Sequence, residues 1–219
     1  MQPHDSRLTQ LEALRSLVAE KFPSSPRRCH GRLLTGCPPF DQKGGFLQGA
    51  ITEVCGSSAG GSLLLAALVN AAGRDGFFIG LIDALNSFEP SDWADEHLRR
   101  ILWVMCEGAA PAMRAADILL RDGNLPVVIL DLQMLSPAQL RHIPLSTWHR
   151  FQRVLEPTGT VFVVLSPTPL VESVPVRMAM HTDLSLEAMH LPRPTLWEQL
   201  EVQVFERGAA PLTVLQKSA

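Results

Sequence analysis

Residues 51–68, ITEVCGSSAGGSLLLAAL, run from an apolar strand through a Gly/Ser turn directly into an apolar helix. That is the context in which a glycine-rich loop cradles phosphate. Glycines let backbone N–H groups point inward, and the helix N-terminus adds a positive partial charge. The working motif is G-x-x-x-x-G-K-[ST]. Without gaps, Gly56 and Gly61 supply its glycines, but Ser62 stands at the lysine position and Leu63 at the Mg²⁺-binding hydroxyl. Moving the register by one residue puts Gly61 at the lysine, Ser62 at the hydroxyl and Cys55 at the first glycine. Neither register has a lysine, and the nearest one upstream is Lys43. That lysine neutralises β- and γ-phosphate charge, and phosphoryl transfer depends mostly on positioning and charge stabilisation. Gly56, Ser57, Ser58, Gly60, Gly61 and Ser62 are therefore expected to form at most a neutral backbone nest, able to hold ATP weakly and poor at hydrolysis. The same residues also read as a strand-to-helix turn with no ligand.

Outward from this turn, short apolar runs alternate with helical stretches. Strands are expected at 50–55, 77–83, 101–105, 125–131 and 160–166, with helices at 61–73, 91–99, 109–122 and 136–154. Continuous apolar runs are what strands buried on both faces look like, and crossover helices are what parallel strands require. The pattern predicts an α/β doubly wound, mostly parallel sheet. The last third differs: residues 177–189 and 200–207 alternate apolar and polar, and read as antiparallel strands extending one edge. LPVVILD, residues 125–131, ends in Asp131, a strand-end carboxylate of the kind that holds Mg²⁺ through water. FFIGLID ends in Asp83 with Glu89 nearby; either is placed to act as a base, though a turn or cap is the simpler role.

At the other end, Leu8, Leu11, Leu14 and Val18 recur at three- and four-residue steps, which predicts a helix over 6–20 capped by Asp5 or Ser6. FPSSPRR, residues 22–28, stops it with Pro23 and Pro26. The expected organisation is an N-terminal helical arm (1–22), a linker (23–32) and a core (33–219). The arm's apolar stripe needs a covering surface, on this chain, on a second copy or on a partner.

Composition narrows the function. Of 219 residues, 46% are hydrophobic, which excludes a disordered chain. Nineteen Lys and Arg against 22 Asp and Glu leave no positive field for a nucleic-acid backbone, so DNA contact is expected to be indirect or weak. Four irregularly spaced cysteines do not form a disulfide framework, and no apolar run has transmembrane length. The expectation is a cytoplasmic protein without membrane contact. Cys29, His30 and Cys37 lack a second pair at ligand spacing, so no metal is expected. Arg27, Arg28 and Arg32 form a small basic cluster that reads as a solvated face, and Trp93, Trp103, Trp148 and Trp197 read as core or interface residues. Gly56–Gly60 also spells G-x-S-x-G, with Ser58 as a would-be hydrolase nucleophile and Asp131 with His181 or His190 in the matching order; no oxyanion segment accompanies it.

Taken in order, several segments resemble the RecA/RadA superfamily core over residues 33–212. They are the lead-in LLTGCPPFDQKGGFLQGAITEVCG (33–56), FIGLIDALNSFEP (78–90), LPVVILDLQML (125–135), VFVVLSPTPL (161–170) and VQVFERGAAPL (202–212). The resemblance implies a RecA-like sheet, with Asp131 as the Walker B aspartate and Ser166 where the family has a phosphate-sensing residue. It also implies a catalytic glutamate two residues past Asp83, where this chain has Leu85, and long Gly-rich DNA-contacting loops, which this chain lacks. A short RecA-like core with these losses and an N-terminal helix is similar to the ImuA-type accessory proteins of SOS-induced translesion synthesis. That resemblance implies a non-catalytic role without a required cofactor. It would be exercised through contacts with an ImuB-like protein, an error-prone polymerase and RecA itself.

Overall fold

The strand expected at ITEVC lies near the middle of a seven-stranded sheet. The structure, a computed structural model, describes residues 31–185 and 187–206. The arm with Leu8, Leu11, Leu14 and Val18, most of the linker, Arg27, Arg28, Cys29 and His30 lie outside the described residues. The chain enters through a two-stranded ribbon of Arg32–Leu33 (β1) and Phe46–Leu47 (β2), joined by a short helix at Pro38–Asp41 (α1). Asp41 explains the Thr-Gly…Asp spacing. Its carboxylate accepts the Thr35 amide at 2.8 Å, the Thr35 hydroxyl at 3.0 Å and the Gly36 amide at 2.7 Å. Gly45 is required by space as well as by φ of 64°: a Cβ there would lie 2.3 Å from the Leu33 carbonyl oxygen.

From there the doubly wound pattern holds. Ala50–Gly56 (β3) leads into Ser58–Asp75 (α2), then Ile79–Asp83 (β4), Asp95–Leu98 (α3) and Ile101–Met105 (β5). Ala109–Asp122 (α4) and Val127–Asp131 (β6) follow, then Pro137–Arg141 (α5), Leu145–Leu155 (α6) and Val161–Ser166 (β7). Val176–Thr182 (β8), Arg193–Trp197 (α7) and Leu200–Glu206 (β9) complete the described chain. The sheet order is β5-β4-β6-β7-β3-β8-β9, parallel throughout except for β9 against β8. The antiparallel pair extends one edge as expected. The alternating run stops at Thr182, however, and the span before β9 holds a turn of 3-10 helix (Glu187–His190) and α7. The Pro pair at 192 and 194 breaks the period-two pattern there.

Two apolar layers sandwich the sheet. One face packs Val54, Leu81, Ile129 and Val163 under α2, whose Leu64, Leu68 and Ala72 are fully buried. The other packs Ile82, Leu130, Phe162 and Val164 under α4 and α6 through Ala116, Leu120, Phe151 and Leu155. The long helix expected over 136–154 is broken at Pro144 into α5 and α6, and Ser136 and Gln139 form a capping box that starts the first piece. The stretch 91–99 is only a 3-10 turn and the one-turn α3. Among the described residues no helix is long and apolar enough to cross a membrane.

Candidate functional site at the β3–α2 junction

The parallel strands place β3, β7 and β6 side by side, with their carboxyl ends on one edge. β3 connects to one side of the sheet through α2, and β8 lies on its other side. In open α/β sheets this switch in direction opens a crevice. Here the crevice is a groove of about 670 Å³, bounded by the head of α2, the turn after β4, the end of β6 and the α7 segment. Ser58, Gly61, Ser62 and Asp131 all line it, so four of the residues singled out from sequence meet in one place.

Their arrangement differs from an open loop. Only Ser57 separates β3 from α2; it is the N-cap, and its hydroxyl accepts from the Gly60 amide at 3.4 Å. Ser58, Ala59, Gly60, Gly61 and Ser62 are the first turns of the helix. The expected nest of loop amides is therefore a coiled helix start, and the Ser62 hydroxyl is turned back to the Ser58 carbonyl at 3.1 Å. Gly56 keeps φ of 148°, because a Cβ would sit 2.3 Å from the Met180 carbonyl oxygen on β8.

Asp131 closes β6 directly beside Asp83 on β4. The two carboxylates have different surroundings. Asp83 is fully buried and accepts from the amides of Leu85, Ser87 and Phe88 at 3.3, 3.0 and 2.8 Å, so it organises the turn after β4. This is the cap-like role, and the Ser87 hydroxyl adds a fourth donor to it at 3.3 Å. Asp131 has one close donor, the Gln133 amide at 2.9 Å. Burial, with the Asp83 charge adding to it, pushes its carboxyl up to about 6. Leu85, standing at the catalytic-glutamate position, is exposed and brings no acid.

The Ser58 hydrolase constellation does not assemble. No histidine lines the groove, and His181 is exposed with Nε2 3.3 Å from Asp183. Asn86 is the one non-glycine with positive φ among the described residues, so Ser58 has no strained elbow. Ser166 is buried, and its hydroxyl donates to Glu53 at 3.2 Å, so it faces the interior. Of the four tryptophans, Trp148 is buried and the others pack against the core, Trp93 beneath the Arg193 guanidinium at 4.6 Å. Among the described residues no three His, Cys, Asp or Glu side chains cluster as a metal would need.

Two features were not singled out from sequence. The first is Glu53, fully buried in β3. It accepts from Ser166, from the Leu170 and Val171 amides at 2.6 and 3.1 Å, and from Arg177 Nε at 2.7 Å. A carboxylate inside an apolar buried strand was itself the signal, because such a charge demands partners. The second is Gln133, whose side-chain amide donates to the carbonyls of Gly56 and Ser57 at 3.4 and 3.1 Å. No local pattern announces that contact, since it joins residues more than seventy positions apart.

No family model and no curated protein matches the chain. Among solved structures, the crystal structure of the RadB recombinase is similar at a TM-score of 0.55 and 16% identity, over 70% of this chain and 84% of that one. With the strand order and the α2 crossover above, this similarity shows that the chain has a RecA-like fold.

Proposed function

We propose that this protein is a non-catalytic RecA-like accessory factor of SOS-induced translesion DNA synthesis, acting through protein contacts. The observation that carries the reading is the β3–α2 junction: a helix head with serine and leucine where phosphoryl transfer needs a lysine and a metal-binding hydroxyl. A scaffold that keeps the sheet and loses the cation keeps its surfaces as its working parts. The partners follow from the resemblance to ImuA-type proteins: an ImuB-like protein, an error-prone polymerase and RecA. The arm's Leu8, Leu11, Leu14 and Val18 stripe is the first contact surface, with self-association an alternative use of it. Charged substitutions at Leu11 and Leu14 are expected to abolish association with the purified ImuB-like protein while leaving the melting temperature unchanged. Unchanged association removes the arm from the interface. Metal-dependent ATP turnover by the purified chain, lost in Asp131→Asn, would overturn the non-catalytic reading.

A second reading keeps ATP as a weakly held switch ligand that alters assembly without rapid hydrolysis. It is favoured by the groove itself, which brings Asp131 to the head of α2. Calorimetric titration with Mg²⁺-ATP separates the two: micromolar binding supports the switch, and no heat supports the accessory reading.

A further inference from the structure

The nucleotide-free reading leaves open what occupies the head of α2, and the structure supplies a resident. The first amides of an α-helix have no intrahelical acceptor, and this is where an anion approaches a strand–helix junction. Gln133 reaches across from the end of β6 to the residues that lead into that turn and lies against Gly61. Its backbone is held by Asp131, and its side-chain amide donates to the Gly56 and Ser57 carbonyls. A Cβ added at Gly61 would stand 1.8 Å from Gln133 Oε1, 2.6 Å from Cδ and 2.8 Å from Nε2, so any larger residue there must displace the Gln133 amide. The two carbonyls that face the side chain are acceptors. They repel a phosphate oxygen and suit an N–H₂ donor.

We propose that Gln133 is a built-in plug of the α2 head, an internal amide seated where a phosphate would otherwise bind, so that the junction is closed to anions by a side chain as well as by the missing lysine. The inference rests on the non-catalytic reading of the same junction and adds a residue responsible for it. Gln133 positions nothing for chemistry. It excludes a ligand class.

The test uses the full chain and three variants: Gly61→Ala, Gln133→Ala and the double. Replacing a helical glycine with alanine ordinarily stabilises, and here corresponds to a rise of about 2–4 °C in melting temperature. That rise is expected in the Gln133→Ala background, where the space is free. In the parent it is expected to vanish or reverse, because the new methyl must evict the amide. Equal shifts in both backgrounds would overturn the plug. Inorganic pyrophosphate provides the second readout. It should shift the backbone amide resonances of Ser58 and Ala59 in Gln133→Ala and leave them unmoved in the parent, and identical perturbation in both also overturns the plug. Metal-dependent ATP turnover by the parent overturns the non-catalytic reading, while the melting comparison decides the plug independently.

Discussion

Glu53 in β3 and Asp131 at the end of β6 are both withdrawn from bulk water, yet the protein treats them in opposite ways. Around Glu53 four donors gather: a hydroxyl, two backbone amides and a guanidinium converge on one carboxylate. Around Asp131 there is one amide and a second carboxylate. The first region is a structural clasp that ties β3, the segment after β7 and β8 together. The second keeps an ionisable group under electrostatic load beside the groove. Burial alone therefore does not identify a functional carboxylate in this fold; the number of donors facing it separates the two cases.

The largest test of that contrast is Arg177→Met. It leaves the Glu53 charge buried without its cation and should lower unfolding stability by about 3–5 kcal/mol in urea titration. Adding Glu53→Gln should recover part of the loss, since the amide oxygen still accepts from Leu170 and Val171. Full loss in the double variant would mean that the ion pair itself, and not charge compensation, holds the clasp. Next is Asp83→Ala, which strands the amides of Leu85, Ser87 and Phe88 and should cost about 2–3 kcal/mol.

Asp131→Asn should act with the other sign. The folded state holds the Asp131 proton up to about pH 6 against a reference of 3.8, so it binds that proton more tightly than the unfolded chain. The parent consequently loses stability as pH rises from about 4 through 6. The variant, which has no charge to bury, should be more stable by about 3 kcal/mol at pH 7 and close to the parent at pH 4. A pH-independent difference would show that Asp131 is not under load. The smallest effect concerns Cys55. Burial and the neighbouring Glu53 push its thiol up to about 12. It should resist alkylation at pH 8 in the native protein and react at once after unfolding.

The sheet was largely legible because a buried parallel strand has to be apolar on both faces. ITEVC, VVILD and VFVVLS all fall within a residue or two of the observed β3, β6 and β7, and ILWVM matches β5, although that strand is the sheet edge and leaves Leu102 and Met105 exposed. The helix over 136–154 was over-extended because its period continues across Ile143-Pro144, where the proline splits it. The candidate site was legible in its members and not in its shape. Ser58, Gly61, Ser62 and Asp131 do meet, since strand order brings them there. Whether Gly60 and Gly61 loop or coil depends on Ser57 capping the helix early and on Gln133 packing from β6, and neither contact is written in the spacing of the junction itself.

The Glu53 clasp has one more consequence. By taking the amides of Leu170 and Val171, it fixes the backbone of the crossing from β7 to β8. A macromolecule docking on that segment would meet a contour already in its final shape, with little chain entropy left to surrender on contact. Association there is accordingly expected to be governed by collision and fit, with no slow ordering step.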